Sequence, residues 1–425
     1  MKKRLLIVLL GLSLLSFAKA NPVVMEISQL ADKNKILAIE QVANSNDFLK
    51  TKDFGDLNFG ISISNFWLKI VVKNTEVQAT YKVAIATITP DTIEVYRLNK
   101  GVLEKELIGE GIPSAERFLN YYFKPTENET ILYLKITGNG QPIALPISIV
   151  RSDIGDDIGI KSILFSGFLY GLVFFILISN LVLYITNAEK LYLYFLIFNI
   201  FSTGVVLYFD GFVKHIIFSN TIYWNNQFIA IALCGSFIAA NYYFYEFLKV
   251  KENQPSLTRF FRAINFSFWT ILILSFWHPI GFNYYIKFNL ILTSAEAVLL
   301  FFSVLLMRKK EKEYFTIQLV SIVLVVTFGT ILQLYYFGLL PVNLLTRYAV
   351  HCMILPQIFI QTFALGKRFT IMNQERLALQ TTLLKSSEQY SQSLINTLEN
   401  ERKRLSSDFH DSIGQNYWLF GIEFY

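Results

Sequence analysis

Charge is scarce in this sequence: of 425 residues only 16% are Asp, Glu, Lys or Arg, against 53% hydrophobic residues that include 39 Phe and 23 Tyr. So small a charged share at this length excludes an ordinary soluble globular protein and points to a membrane protein. Cysteine is nearly absent as well. Cys234 and Cys352 both fall inside apolar segments, which excludes a disulfide or a Cys-based metal site in any exported domain. Histidine is limited to His215, His278, His351 and His410, too scattered for a zinc cluster, and no metal site is expected. The net charge of +6 does not gather into one basic patch with interleaved aromatics, so nucleic acid is not an expected partner. Most of the cations flank apolar runs.

The first twenty residues run Met-Lys-Lys-Arg, an apolar stretch from Leu5 to Phe17, then Ala18-Lys19-Ala20. This is the pattern of a secretory signal peptide over 1–20, cleaved after Ala20, and the apolar core is too short for an anchor that spans a membrane. From 21 to 158 the character changes to short alternating runs. Phe66 to Asn74 puts Leu68, Ile70 and Val72 on one face and Trp67, Lys69, Val71 and Lys73 on the other, which is a half-buried strand. Thr80 to Ile88, Thr92 to Leu98, Thr130 to Ile136 and Pro142 to Val150 repeat the theme, separated by turn material such as Thr89-Pro90-Asp91, Asn99-Lys100-Gly101 and Gly138-Asn139-Gly140. With no helix alternating with these strands, the expected fold of 21–158 is an all-β sandwich.

Between 159 and 366 lie seven apolar segments, near Ile163 to Ile185, Leu191 to Phe209, Trp224 to Phe247, Phe260 to Phe276, Tyr284 to Met307, Phe315 to Phe337 and Leu344 to Leu365. Each is long enough for one crossing of the hydrocarbon, and together they predict a seven-helix transmembrane bundle. If the sandwich is exported, the first, third and fifth loops face the cytoplasm. They hold Lys190, then Lys249, Lys251, Arg259 and Arg262, then Arg308, Lys309, Lys310 and Lys312, whereas the other three hold Lys214, Lys287 and Arg347. That bias satisfies the positive-inside rule and places the C-terminus in the cytoplasm. Trp277 and His278 fall at a membrane edge, where aromatic belts are ordinary. Glu296 falls near the middle of the fifth segment. An intramembrane carboxylate is costly without a partner, and Asn199, Gln357 or His351 are the candidates inside the bundle.

After Gly366 the sequence turns rich in Gln, Glu, Ser and Leu. Met372, Arg376, Leu379, Leu383, Ser386, Tyr390, Leu394 and Leu398 fall at steps of three and four, a narrow seam that predicts a dimeric coiled coil over 367–398. The fours after Ser386 depart from a strict heptad.

The stretch from 399 to 425 contains Glu401 to Gln415, reading ERKRLSSDFHDSIGQ. As a helix it sets Leu405 and Phe409 on one face and brings His410, Asp411 and Gln415 round the side. A neutral imidazole there is a nucleophile, and an adjacent carboxylate fixes its tautomer and accepts its proton as the new bond forms. The order Glu-Arg-x-Arg-Leu, Asp-Phe-His-Asp, Gly-Gln resembles the phosphoacceptor helix of two-component sensor histidine kinases, most closely the nitrate-sensor-like subfamily. The resemblance implies that His410 takes the phosphoryl group, Asp411 is the general base and Gln415 positions water for dephosphorylating the partner. The chain stops at Tyr425, fifteen residues past His410, where a second helix and an ATP-binding domain do not fit. The expectation is a polypeptide unable to phosphorylate itself, with the ATP and Mg²⁺ of the reaction belonging to the missing kinase domain.

The order FGISISNFWLKIVVKN, then GEGIPSAERFLNYYFKP and TILYLKITGNG, resembles the extracellular sensing domain of bacterial seven-helix receptors with diverse intracellular signalling modules, a jelly-roll-like sandwich related to carbohydrate-binding modules. Trp67, Arg117, Tyr121 and Tyr122 are the side chains expected to contact a ligand there, since stacking and hydrogen bonding on a sandwich face use such groups. The expectation as a whole is a dimeric, multi-pass sensor of the bacterial inner membrane with a periplasmic sandwich that binds a small or carbohydrate-like molecule. Its cytoplasmic histidine would pass a phosphoryl group to a response regulator. The alternative is a non-enzymatic seven-helix receptor whose coil recruits cytoplasmic partners. A light-driven pump is excluded because the seventh segment has no lysine for a Schiff base.

Overall fold

The computed structural model describes residues 24–421 apart from 52–55, 74–78, 100–101, 115, 126, 220, 277–281 and 309–311. The expected signal peptide, the loop cations Lys309 and Lys310, and the edge residues Trp277 and His278 lie outside the described residues. For Gln415 only the helical backbone is described.

Among the described residues, eleven strands form the first part of the chain: β1 (Val24–Asp32), β2 (Leu49–Lys50), β3 (Asn58–Ile61), β4 (Asn65–Lys73), β5 (Tyr81–Ile85), β6 (Ile93–Asn99), β7 (Val102–Ile108), β8 (Leu119–Phe123), β9 (Glu129–Ile136), β10 (Pro142–Ala144) and β11 (Ile147–Arg151). One antiparallel sheet runs in the order β2-β1-β4-β9-β6-β7; a three-stranded sheet β11-β5-β8 and a two-stranded ribbon β10-β3 complete the architecture. The alternation in β4 explains the layers. Leu68 and Ile70 sit opposite Leu134 and Leu132 of β9, and all four are fully buried against Val83 and Ile85 of β5 and Leu119 of β8. A sandwich core results from two such inward faces.

The other face of β4 is covered too. A short helix, Ile39–Ala43, lays Ile39 and Val42 over Trp67, Tyr96 and Tyr133, with Trp67 and Tyr96 stacked at 5.7 Å. The run from Pro142 to Val150 is not one strand. It breaks at Leu145-Pro146, because proline has no N–H to give to a ladder; the Pro146 carbonyl instead accepts from the Ala86 N–H at 3.0 Å.

Seven long helices follow among the described residues: α1 (Ser152–Asn187), α2 (Lys190–Phe209), α3 (Ile222–Phe247), α4 (Thr258–Phe276), α5 (Phe282–Met307), α6 (Lys312–Tyr336) and α7 (Ala349–Gly421). All seven apolar segments of the sequence fall on helices long and apolar enough to cross a membrane. Two ends differ from expectation. α1 begins eleven residues early, directly after β11, because its polar first turns pack on the sandwich: Lys82 Nζ lies 3.4 Å from Asp156 and packs along Gly155. Leu344–Arg347 forms a separate turn before α7, capped by the Asn343 side chain, which accepts from the Thr346 N–H at 3.0 Å.

Inside the bundle, buried carboxamides satisfy one another across helices. Gln361 exchanges hydrogen bonds with Gln318 at 3.0 Å and accepts from Tyr243 at 2.8 Å, and Ser321 donates to Gln357 at 2.6 Å. Such pairs supply the partners that lipid does not.

The chain divides into two compact units, Met1–Gln361 and Thr362–Tyr425. Within the second, Leu379, Leu383, Tyr390, Leu394 and Leu398 are all exposed, as are Leu405, Phe409 and Ile413.

Candidate functional site

The sandwich is fastened to the bundle by backbone that approaches too closely for a side chain. Gly60 and Gly338 both have positive φ, and a Cβ on Gly60 would lie 2.7 Å from the Phe337 carbonyl oxygen. Asn58 Nδ2 donates across the same contact to the carbonyls of Tyr335 and Leu340 at 2.8 and 2.7 Å. A second close approach joins Gly211, φ +76, to the Arg117 carbonyl. The contacts on the bundle side thus come from the connections after α2 and after α6.

Polar side chains are buried at this junction. Arg117 is 8% exposed; its guanidinium donates to Ser162 at 3.1 Å and stands 4.6 Å from the centre of the Phe212 ring. Burial lowers its pKa, an effect the nearby Asp210 carboxylate opposes. Asp210 itself ties α1 to α7: Tyr170 donates to one oxygen at 2.5 Å, and His351 Nε2 meets the other at 2.9 Å.

Beside this cluster Glu110 is wholly buried and accepts from Tyr208 at 3.2 Å, while Lys214, also buried, donates to the Gly109 carbonyl at 2.7 Å. Burial, reinforced by Asp91, pushes the Glu110 carboxyl up to about 8, and burial pulls the Lys214 ammonium down to about 8. Neither was legible as a site residue. Glu110 stands between two glycines in the sequence, and Lys214 reads there as an ordinary loop cation.

The residues expected to contact a ligand do not form one patch. Trp67 is fully buried under the short helix, and Tyr121 points into the sandwich core. Period-two alternation puts Tyr122 on the opposite side of β8, where it is exposed at a cavity of about 200 Å³ that Glu116, Asn120 and Lys214 also line. Arg117 belongs to the junction.

A larger cavity, about 620 Å³, has a wall shared by the sandwich, through Thr89, Gln141 and Pro142, and by α5 and α6. Glu296 lines it and is 2% exposed, and neither carboxyl oxygen has a hydrogen-bond partner. None of the partners expected from the sequence engages it. His351 is held by Asp210, Gln357 by Ser321, and the Asn199 carboxamide is itself without a partner.

On the second unit, His410 Nδ1 lies 3.7 Å from the Asp411 carboxylate, with both side chains exposed. Nδ1 is thus the ring nitrogen turned toward the acid. Arg404 pairs with Glu401 at 3.0 Å one turn earlier.

Two family models match the chain. Residues 25–151 match the one described as 7TMR-DISM extracellular 2, and residues 162–368 match 7TM diverse intracellular signalling. No curated protein matches the sequence.

Proposed function

We propose that this chain, a bacterial seven-transmembrane receptor with an outside sensor domain, is the sensing and phosphoacceptor part of an inner-membrane two-component histidine kinase. A ligand of the outer sandwich shifts the bundle, and α7, which carries both the seventh span and His410, relays the shift to the cytoplasm. Two copies pair along the seam from Met372 to Leu398. Such an apolar seam is marginal in water until a parallel partner covers it.

The exposed His410–Asp411 pair within its motif is the observation that carries the reading. His410 Nε2 attacks the γ-phosphorus of ATP, the β–γ phosphoanhydride bond breaks with ADP leaving, and Asp411 takes the proton from Nδ1 as the N–P bond forms. The phosphoryl group then passes to an aspartate of a response regulator, and Gln415 orients the water of the reverse, dephosphorylating activity. An ATP-binding domain with Mg²⁺ supplies positioning and charge stabilisation for the transfer.

The test uses membranes that hold the chain, mixed with Mg-ATP and the ATP-binding domain of a related kinase. Acid-labile phosphoryl label on the wild type and none on His410→Gln is the expected result. Equal label on both, or none on either, would contradict the acceptor role and favour a receptor that signals by recruiting partners through its coil.

A further inference from the structure

The 620 Å³ cavity is within the size range of small-molecule sites, about 300–1,000 Å³. Its wall is mainly apolar, with Phe198, Ile229, Val325 and Leu332 among the lining residues. The carboxamides on that wall already have partners. Gln333 bonds Ser294 at 2.9 Å, Gln357 accepts from Ser321, and Asn289 donates to Tyr285 at 3.3 Å. Glu296 differs, with both oxygens unpartnered and 98% of the residue shielded from solvent (2% exposed). A buried carboxyl without a partner is costly in hydrocarbon surroundings, and a bound group that supplies the missing hydrogen bonds offsets that cost. Among the described residues, no Lys, Arg or His lines the cavity. An anionic head group would therefore find no counter-charge there.

We propose that this cavity binds an aliphatic amphiphile whose neutral or cationic hydrogen-bond-donating head, a hydroxyl or an ammonium, is set against the Glu296 carboxyl with its chain along the apolar wall. Because Thr89, Gln141 and Pro142 of the sandwich border the same cavity as α5 and α6, its occupant touches both the sensor layer and the spans. Occupancy then biases how the sandwich seats on the bundle. This effect on signalling rests on the receptor reading, whereas binding itself does not, and the experiment reads binding alone.

The full chain is placed in phosphatidylcholine nanodiscs, and saturable uptake of tritiated 1-dodecanol, dodecylamine and dodecanoate is measured against empty discs. The alcohol, the amine or both should bind at least tenfold more tightly than dodecanoate. Glu296→Leu should abolish that preference, and Glu296→Gln separates the two heads, because a carboxamide retains the alcohol and loses the amine's ion pair. Gly329→Leu fills the cavity without touching Glu296. A Cβ there meets only Met353 Sδ at 3.6 Å, an ordinary contact, so the helix is expected to tolerate the change, which thermal unfolding checks. Loss of binding in Gly329→Leu places the ligand in the cavity. Equal binding of dodecanoate, no saturable binding of either other probe, a preference for the alcohol or amine that survives in Glu296→Leu, or binding that survives in Gly329→Leu would overturn the proposal.

Discussion

Glu110 and Lys214 are an acid and a base that the fold buries within one junction, and each is less willing to ionise there than in water. The Glu110 carboxyl moves from 4.5 up to about 8 through burial and the Asp91 charge, with Tyr208 and Lys214 acting against the shift. Its neutral form is the one the folded state prefers. The stability it contributes is full below about pH 4.5 and is lost as pH rises towards about 8. Lys214, shifted by burial from 10.5 down to about 8, works in the opposite sense and restores stability only as pH climbs from about 8 towards 10.5. Between about pH 5 and pH 8 the Glu110 effect should dominate. In Glu110→Gln the carboxamide oxygen still accepts from Tyr208 and nothing ionises. The wild type's thermal midpoint should therefore fall across that range while the variant's stays level, and parallel slopes would contradict the assignment.

Strand β4 shows how much depends on which face of an element a residue occupies. Ile70 is locked between the two sheets, and Ile70→Ala should cost about 2–5 kcal/mol as the cavity opens in a core that cannot collapse. Trp67 is as deeply buried on the other face, but its indole Nε1 has no hydrogen-bond partner. Trp67→Phe removes that stranded donor while keeping most of the stacking on Tyr96, and should cost about 1 kcal/mol or less. Denaturant unfolding of the two variants measures the difference, and a Trp67→Phe loss equal to that of Ile70→Ala would show that the indole is not strained for want of a partner.

These elements differ in how far the sequence discloses them. The seven spans are legible because a hydrocarbon crossing demands a long unbroken apolar run, and no other structure in a chain of this composition produces one. The inward face of β4 is legible from its alternation. Its outward face is not, since Trp67 reads as an exposed aromatic until the distant residues Ile39 and Val42 cover it. The junction was beyond reach for the same reason. Gly60 against Phe337 and Arg117 against Gly211 are contacts between segments far apart in the chain, and nothing in the local pattern of either partner announces the other. Glu296 was legible as an anomaly from its position alone, but its lack of a partner emerges only once His351 and Gln357 are seen to be engaged elsewhere.

At the scale of the whole molecule, the sandwich meets the connections after α2 and α6, which are the loops the distribution of Lys and Arg assigns to the outer side. On the proposed reading, an odd number of crossings sets His410 on the inner side, in reach of ATP and a response regulator. In the proposed function α7 acts as one of a pair, and pairing would turn a displacement in the bundle into a change of packing around His410. The most direct measurement is disulfide cross-linking in membranes of chains with Cys234→Ser and Cys352→Ser. Single cysteines replace Leu379, Leu383, Ser386, Tyr390, Leu394 or Leu398 on the seam, and Thr381, Glu388 or Gln392 on the opposite side of the helix. Strong cross-linking at the seam positions and weak cross-linking at the others is the predicted result. Cross-linking that is uniform around the helix, or absent throughout, would contradict the paired helix and the route by which the receptor is held to reach its histidine.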